Sequence, residues 1–252
     1  MSKVPQFKID GVNSLKSMNI FNQVIQSKKP LALSIGRSNF TLSNYDAIWI
    51  KGKDSTGLSH IMDLILFELL YQHSDSEMLF SVLSLNFKDV VEVKDVNHCA
   101  YYVSKDSEAD NYMKSLANEV KRRKTLMESK RVKSIDDYNR IVNESERLPY
   151  HITFIDGRFS FFYKQPLFKR YINSLIECRN VGVHLVIKTN TQDNEYEVLK
   201  RLNLMTISLQ MFGQCKVEGV ESQSVQPYIV MRPDTKLNAI NQLDTLNKGV
   251  KA

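Results

Sequence analysis

Gly52-Lys53-Asp54-Ser55-Thr56-Gly57-Leu58-Ser59 sets two glycines, with four residues between them, ahead of a hydroxyl. This is the spacing of a phosphate-cradling loop, G-x-x-x-x-G-K-[ST]. In such a loop, backbone N–H groups hold phosphate oxygens, a lysine neutralises their charge and the hydroxyl ligates Mg2+. Gly52, Gly57 and Ser59 are in register, but the lysine position holds Leu58, which brings neither charge nor donor. Lys51 and Lys53 are the nearby cations that could reach back over a phosphate. The same residues also read as a tight turn that opens a helix, and spacing alone does not separate the two readings.

A second chemical segment is Ile152-Thr153-Phe154-Ile155-Asp156, an apolar run that ends in an acid. In a phosphate-loop site, an acid at this place serves the Mg2+ side. A motor ATPase puts a Glu next to it to polarise the attacking water. Here the next residue is Gly157. Asp156 also suits a strand-end turn or a helix cap. The joint loss of the lysine and the glutamate favours a dead site.

Other reactive residues form no site by themselves. Cys99, Cys178 and Cys215 are far apart and form no C-x-x-C pair, so they read as reduced, buried thiols rather than zinc ligands or a disulfide framework. No metal site is expected. His184 sits inside an apolar run and reads as a core histidine. Lys121-Arg122-Arg123-Lys124 with Lys130, Arg131 and Lys133 makes a basic stretch. It reads as a solvated helix face with a structural arginine pair, in preference to a phosphate-contacting stripe.

The elements that must position these residues follow from apolar patterning. Asp46–Ile50 predicts a buried strand ahead of the loop. Ser59–Tyr71 predicts a helix that is apolar nearly all round and therefore interior. Leu79–Leu83 predicts a strand. Ala109, Met113, Leu116, Val120 and Met127 mark one face of a long helix over 108–129. Ile152–Ile155 and Val183–Ile187 predict two more buried strands, with a helix from Pro166 between them and Gly182 closing it. A shorter helix over 195–202 and strands over 205–209 and 228–231 complete the pattern, and a short apolar helix over 15–25 precedes it. Alternating strands and helices, with strands apolar on both faces, predict an α/β fold with a mostly parallel sheet covered on both faces.

The chain has 252 residues, 34 basic and 28 acidic, for a net charge of +6. That mild basicity permits a polyanionic partner without demanding one. The apolar content of 42% and charged content of 25% argue against wholesale disorder. No window approaches the roughly 20 apolar residues of a membrane helix, and the first residues show no signal-peptide pattern.

Several ordered motifs together resemble the FtsK/SpoIIIE family of RecA-like ring ATPases. The family carries E-M-x-R-R, seen here as Glu119-Val-Lys-Arg122-Arg123, followed by a turn seen as Lys133-Ser-Ile135-Asp-Asp-Tyr138-Asn139. Leu148-Pro149-Tyr150-His151-Ile152 through Asp156 then follows an L-P-x-I…I-D segment. Arg179-Asn-Val-Gly182-Val-His184-Leu185-Val-Ile-Lys188-Thr189-Asn190 follows R-x-x-G-I-H-L…A-T-Q. Order and spacing hold from about Tyr45 to Thr191. The departures at Leu58, Gly157, Lys188 and Asn190 are similar to the degenerate C-terminal ATPase-like domain of EssC-type coupling proteins of type VIIb secretion in Gram-positive bacteria.

The resemblance implies one RecA-like P-loop NTPase domain over 1–252, with a lead-in over 1–44, a core over 45–209 and a terminal strand and tail over 210–252. It implies a pseudo-ATPase domain that acts in substrate recognition and interdomain assembly, on the cytoplasmic side of a cell-membrane protein linked to virulence. Its nucleotide-site remnant comprises Gly52, Gly57, Leu58, Ser59, Asp156, Gly157 and Thr189, with Mg-ATP held weakly or not at all. Implied partners are neighbouring ATPase domains of the same protein and secreted helical substrates, with hexamers in the full-length protein and no DNA. The aromatic run Phe159, Phe161, Phe162 and Tyr163 is either core under the sheet edge or an exposed patch for a domain or peptide. The alternative functions are an active ATP-driven DNA translocase domain, and a DNA-binding module that uses the basic helix.

Overall fold

The computed structural model describes residues 31–35, 38–53, 58–85, 93–156, 159, 165–190, 194–209, 215–219 and 223–225. The expected helix over 15–25 and strand over 228–231 lie outside these residues.

In chain order the strands are β1 (Ala32–Ile35), β2 (Ser38–Thr41), β3 (Ala47–Gly52), β4 (Met78–Leu83), β5 (Cys99–Val103), β6 (Tyr150–Asp156), β7 (Val183–Asn190), β8 (Leu204–Leu209), β9 (Cys215–Glu218) and β10 (Gln223–Val225). The α-helices are α1 (Leu58–Gln72), α2 (Asp106–Ser129), α3 (Ile135–Ile141) and α4 (Gln165–Ser174). Eight strands form the main sheet in the order β10-β9-β8-β3-β7-β6-β4-β5. The run from β8 to β5 is parallel, while β9 and β10 are added antiparallel. This is the RecA-like P-loop architecture, with β7 lying between the loop strand β3 and the acid-ending strand β6.

All seven residues of β6 are buried, as expected of a central parallel strand that is covered on both faces. α1 is apolar nearly all round, and its described side chains are buried or half-buried. Ile61, Ile65 and Leu69 are buried in the core, and β1 packs against the helix. β1 and β2 pair antiparallel, with Ala32 opposite Thr41, and Gln72 Nε2 donates to the Ala32 carbonyl at 2.9 Å. Leu31 and Leu33 are fully buried there.

α2 covers the opposite face of the sheet. The predicted stripe of Ala109, Met113, Leu116, Val120 and Met127 is buried, and Tyr112 and Arg123 join it. Tyr112 lies over a buried polar cluster. Its hydroxyl bonds Thr153 Oγ1 at 2.8 Å, and Ser81 Oγ bonds His151 Nε2 at 2.8 Å. Three expectations change. Residues 135–141 form a helix rather than a turn, because Ser134 Oγ accepts from the Asp137 N–H and caps it. The segment over 195–202 is a 3-10 helix, Asn194–Arg201. The strands β1, β2, β5, β9 and β10 were not predicted.

Candidate functional site at the carboxyl edge of the sheet

Gly52 ends β3 and is paired to Asn190 of β7 on one side and to Leu209 of β8 on the other. Leu58 is the first residue of α1 and Ser59 the second. Gly57 and Gly157 lie outside the described residues. Leu58 is only 7% exposed and belongs to the apolar core. The residue at the lysine position therefore packs inward instead of facing a ligand.

Asp156 is the last residue of β6, and in the ladder it stands beside Lys188 of β7, which stands beside Ile50 of β3. Side chains in register on parallel strands share a face. Here that is the face covered by α1. The Lys188 ammonium lies 3.2 Å from Asp156 Oδ2 and donates to Ser59 Oγ at 3.0 Å. Both Lys188 and Asp156 are buried. One ammonium thus joins the loop helix, the acid strand and the strand between them.

The structure brings together Ser59, Asp156 and Lys188, and separates Thr189 from them. Thr189 projects to the other face, where its hydroxyl accepts from Trp49 Nε1 at 2.8 Å. Lys51 is on that face too, with its ammonium 4.8 Å from the Trp49 ring centroid in a cation–π contact. Lys53 is exposed. Lys188 is the member that sequence reasoning noted only as a departure. The available signal was a lysine following Leu185, Val186 and Ile187 in a strand that must end between the two motif strands.

In the aromatic run, Phe159 answers to the core reading rather than to the exposed patch. Phe159 is fully buried and belongs to the core, while Phe161, Phe162 and Tyr163 lie outside the described residues. His184 is a core histidine. Its Nδ1 bonds the Tyr45 carbonyl at 2.8 Å, and burial lowers its pKa to about 4. Cys178 is buried and its thiol is pushed well up by burial; Cys99 is half-buried and raised to about 11 by burial first and by Asp95 second. Neither is an activated nucleophile. Among the described residues, no group of three or more His, Cys, Asp or Glu could hold a metal ion.

The basic stretch divides in two. Glu119 accepts from Arg122 and from Arg123, and Arg123 is buried, donating to the Pro149 carbonyl at 2.8 Å and the Val181 carbonyl at 3.1 Å. Burial alone would raise the Glu119 pKa, but the two arginines outweigh it and hold it at about 2. Lys124 donates to the Ile176 carbonyl. Lys121, Lys130, Arg131 and Lys133 are the exposed remainder.

The start of the Arg179–Asn190 motif lies at the opposite end of the sheet from Lys188. Arg179 pairs with Asp46 at 3.1 Å, and the Asp46 carboxylate also accepts backbone N–H groups of Glu177, Arg179 and Asn203. Gly182 has φ +71°, and a Cβ added there would lie 2.2 Å from Ile135 Cδ1. That position needs glycine for both conformation and space.

Among the described residues, no helix is long and apolar enough to cross a membrane. The type VII secretion system protein EssC of Staphylococcus aureus is 24% identical over 179 residues, which cover 68% of this chain and 12% of that protein. The DNA translocase FtsK of Campylobacter jejuni is 26% identical over 176 residues, covering 65% of this chain and 18% of that protein. The chain therefore spans less than a fifth of the length of these relatives. The solved structure of EssC (ATPases 2 and 3) from Geobacillus thermodenitrificans superposes with a TM-score of 0.69 at 15% identity, over 88% of this chain and 50% of that one. The fold, the ordered motifs and a family match running through residues 22–232 agree, and the chain belongs to the FtsK/SpoIIIE family.

Proposed function

We propose that this is a catalytically silent FtsK/SpoIIIE-type domain of a type VII secretion coupling protein, working in substrate recognition and interdomain assembly rather than in ATP hydrolysis. The observation that carries this reading is the charge at the carboxyl edge. An active site of this class keeps a lysine at the loop position available to the phosphates, apart from the acid that serves the ion. Here Leu58 is apolar and buried, and the Lys188 ammonium is paired with Asp156, so the two side chains sum to zero. A triphosphate meets no net attraction from them. The residues present do not fit Mg-ATP held in the family's manner.

The secretion context is supported by the EssC relative and by the fold it shares with EssC ATPases 2 and 3. Those names also support neighbouring ATPase domains as partners. On this reading, the domain sits on the cytoplasmic face of a membrane-anchored protein, receives secreted helical segments and packs in a hexamer. Hydrolysis belongs to other domains of the parent chain.

The test is calorimetric titration of Mg-ATP into the native chain and into Leu58→Lys. The native chain gives no heat of binding. Micromolar affinity in the native chain overturns the reading. Binding gained by Leu58→Lys shows that the loop keeps its shape and lacks only charge. One observation favours a second reading, an active DNA translocase in which Lys188 serves the phosphate. Its ammonium stands at the same sheet edge, 3.0 Å from Ser59 Oγ. On that reading the native chain binds Mg-ATP and Lys188→Ala abolishes binding.

A further inference from the structure

We infer that the Lys188 ammonium is a tethered substitute for a divalent cation, and that it holds the crevice between α1, β6 and β7 in one liganded-like state without any ligand. The inference rests on the silent-site reading above and goes beyond it. Its subject is what the lysine does, not what the site fails to do.

The geometry is specific. In a working P-loop site the hydroxyl after the loop and the acid at the end of the neighbouring motif strand face a common Mg2+. Ser59 and Asp156 are those two groups here. The Lys188 nitrogen lies 3.0 Å from one and 3.2 Å from the other. A divalent ion between the same two oxygens would sit against the ammonium, so the two cations exclude each other. The ammonium reaches this point from β7, the strand inserted between β3 and β6. Its stem passes along a buried face beside Ile50, which suits the four-carbon chain of lysine.

The functional difference is in linkage. A metal and nucleotide join the loop helix to the acid strand only while bound, so the joint opens and closes with the ligand cycle. A covalently attached cation joins them permanently. The domain then offers neighbouring domains one fixed surface, and ATP levels do not change it.

The experiment is thermal unfolding of the native chain, Lys188→Ala and the double variant Asp156→Asn/Lys188→Ala, each with a titration of Mn2+. Lys188→Ala removes the ammonium from beside a buried carboxylate, and its Tm falls by roughly 5–15 °C in metal-free buffer. Mn2+ then restores about 5–10 °C at a hundredfold excess over its dissociation constant, because it binds only the folded state. The native chain does not respond, since the ammonium fills the place, and the double variant does not respond, since the acid is gone. If Lys188→Ala fails to fold without metal, recovery of the native circular dichroism on refolding with Mn2+ counts as the same positive result. Failure of Mn2+ to rescue Lys188→Ala overturns the inference. So does a rise in the native chain that the double variant lacks. Both outcomes leave the ATP titration untouched, so the failure of this inference and of the proposed function are distinguishable.

Discussion

The two ends of one sheet are built on different principles. At the amino ends of the strands, the carboxylate of Asp46 gathers an arginine and three backbone N–H groups, and Arg123 ties α2 to the segments that lead into β6 and β7. At the carboxyl ends, a single lysine joins one hydroxyl to one acid. The first is a clasp with many partners, and two of its members, Arg123 and Arg179, belong to the motifs that resemble the family. The second is where the chain departs from it at Leu58 and Lys188. Family likeness in this chain is therefore carried by the end that holds the fold, and it says little about chemistry at the other end.

The comparison breaks first at Asp46. Asp46→Ala removes the acceptor of the Arg179 pair and of three backbone N–H groups, and leaves the Arg179 guanidinium without its carboxylate. The expected loss is about 3–5 kcal/mol in urea unfolding. A loss near zero would mean that the amino end is no clasp at all.

A pH profile sharpens it next. His184 is buried under that clasp, and its Nε2 has no partner among the described residues, so a second ring proton would find no acceptor. Its folded pKa of about 4 lies below the ordinary 6.5. The unfolded chain then binds more protons between those values. Stability from this group is full above pH 6.5 and is lost as pH falls towards 4, by about 3 kcal/mol at most. His184→Gln should lessen the slope there, with His151, whose pKa burial also lowers to about 4, supplying the rest, and an unchanged slope would assign it elsewhere.

The smallest effect belongs to the carboxyl end. Ser59→Ala deletes one hydrogen bond to Lys188 and keeps the ion pair with Asp156. It should cost about 1 kcal/mol. A cost as large as that at Asp46 would erase the contrast between the two ends.

Much of this architecture was legible in the residue pattern. β3, β6 and β7 are apolar on both faces and α1 nearly all round, so burial alone marked them. β5 was not legible because it lies at the sheet edge: only Val103 is buried, and Tyr101 is 60% exposed. An edge strand need not be apolar on either side. α3 is short, and its cap by Ser134 looks like any polar turn in sequence. At the site, Leu58 marked a missing charge from spacing alone. The partner of Lys188 was not legible, because only the parallel register sets it beside Asp156, and only α1 brings Ser59 within reach. Thr189 shows the same limit in reverse. It is the neighbour of Lys188 in sequence, and the alternation of strand side chains sends it to the other face.

The position of β1 and β2 beside α1 has a consequence for how the chain is made. α1 exposes almost no polar surface of its own, so it is an aggregation hazard whenever it is uncovered. The ribosome releases β1 and β2 before it releases α1. The strands that flank β3 in the finished sheet, β7 and β8, are made more than 130 residues later. Parallel pairing over such a separation is slow. Part of the cover of α1 is therefore out of the ribosome before the helix, while most of the sheet that covers its other side must wait.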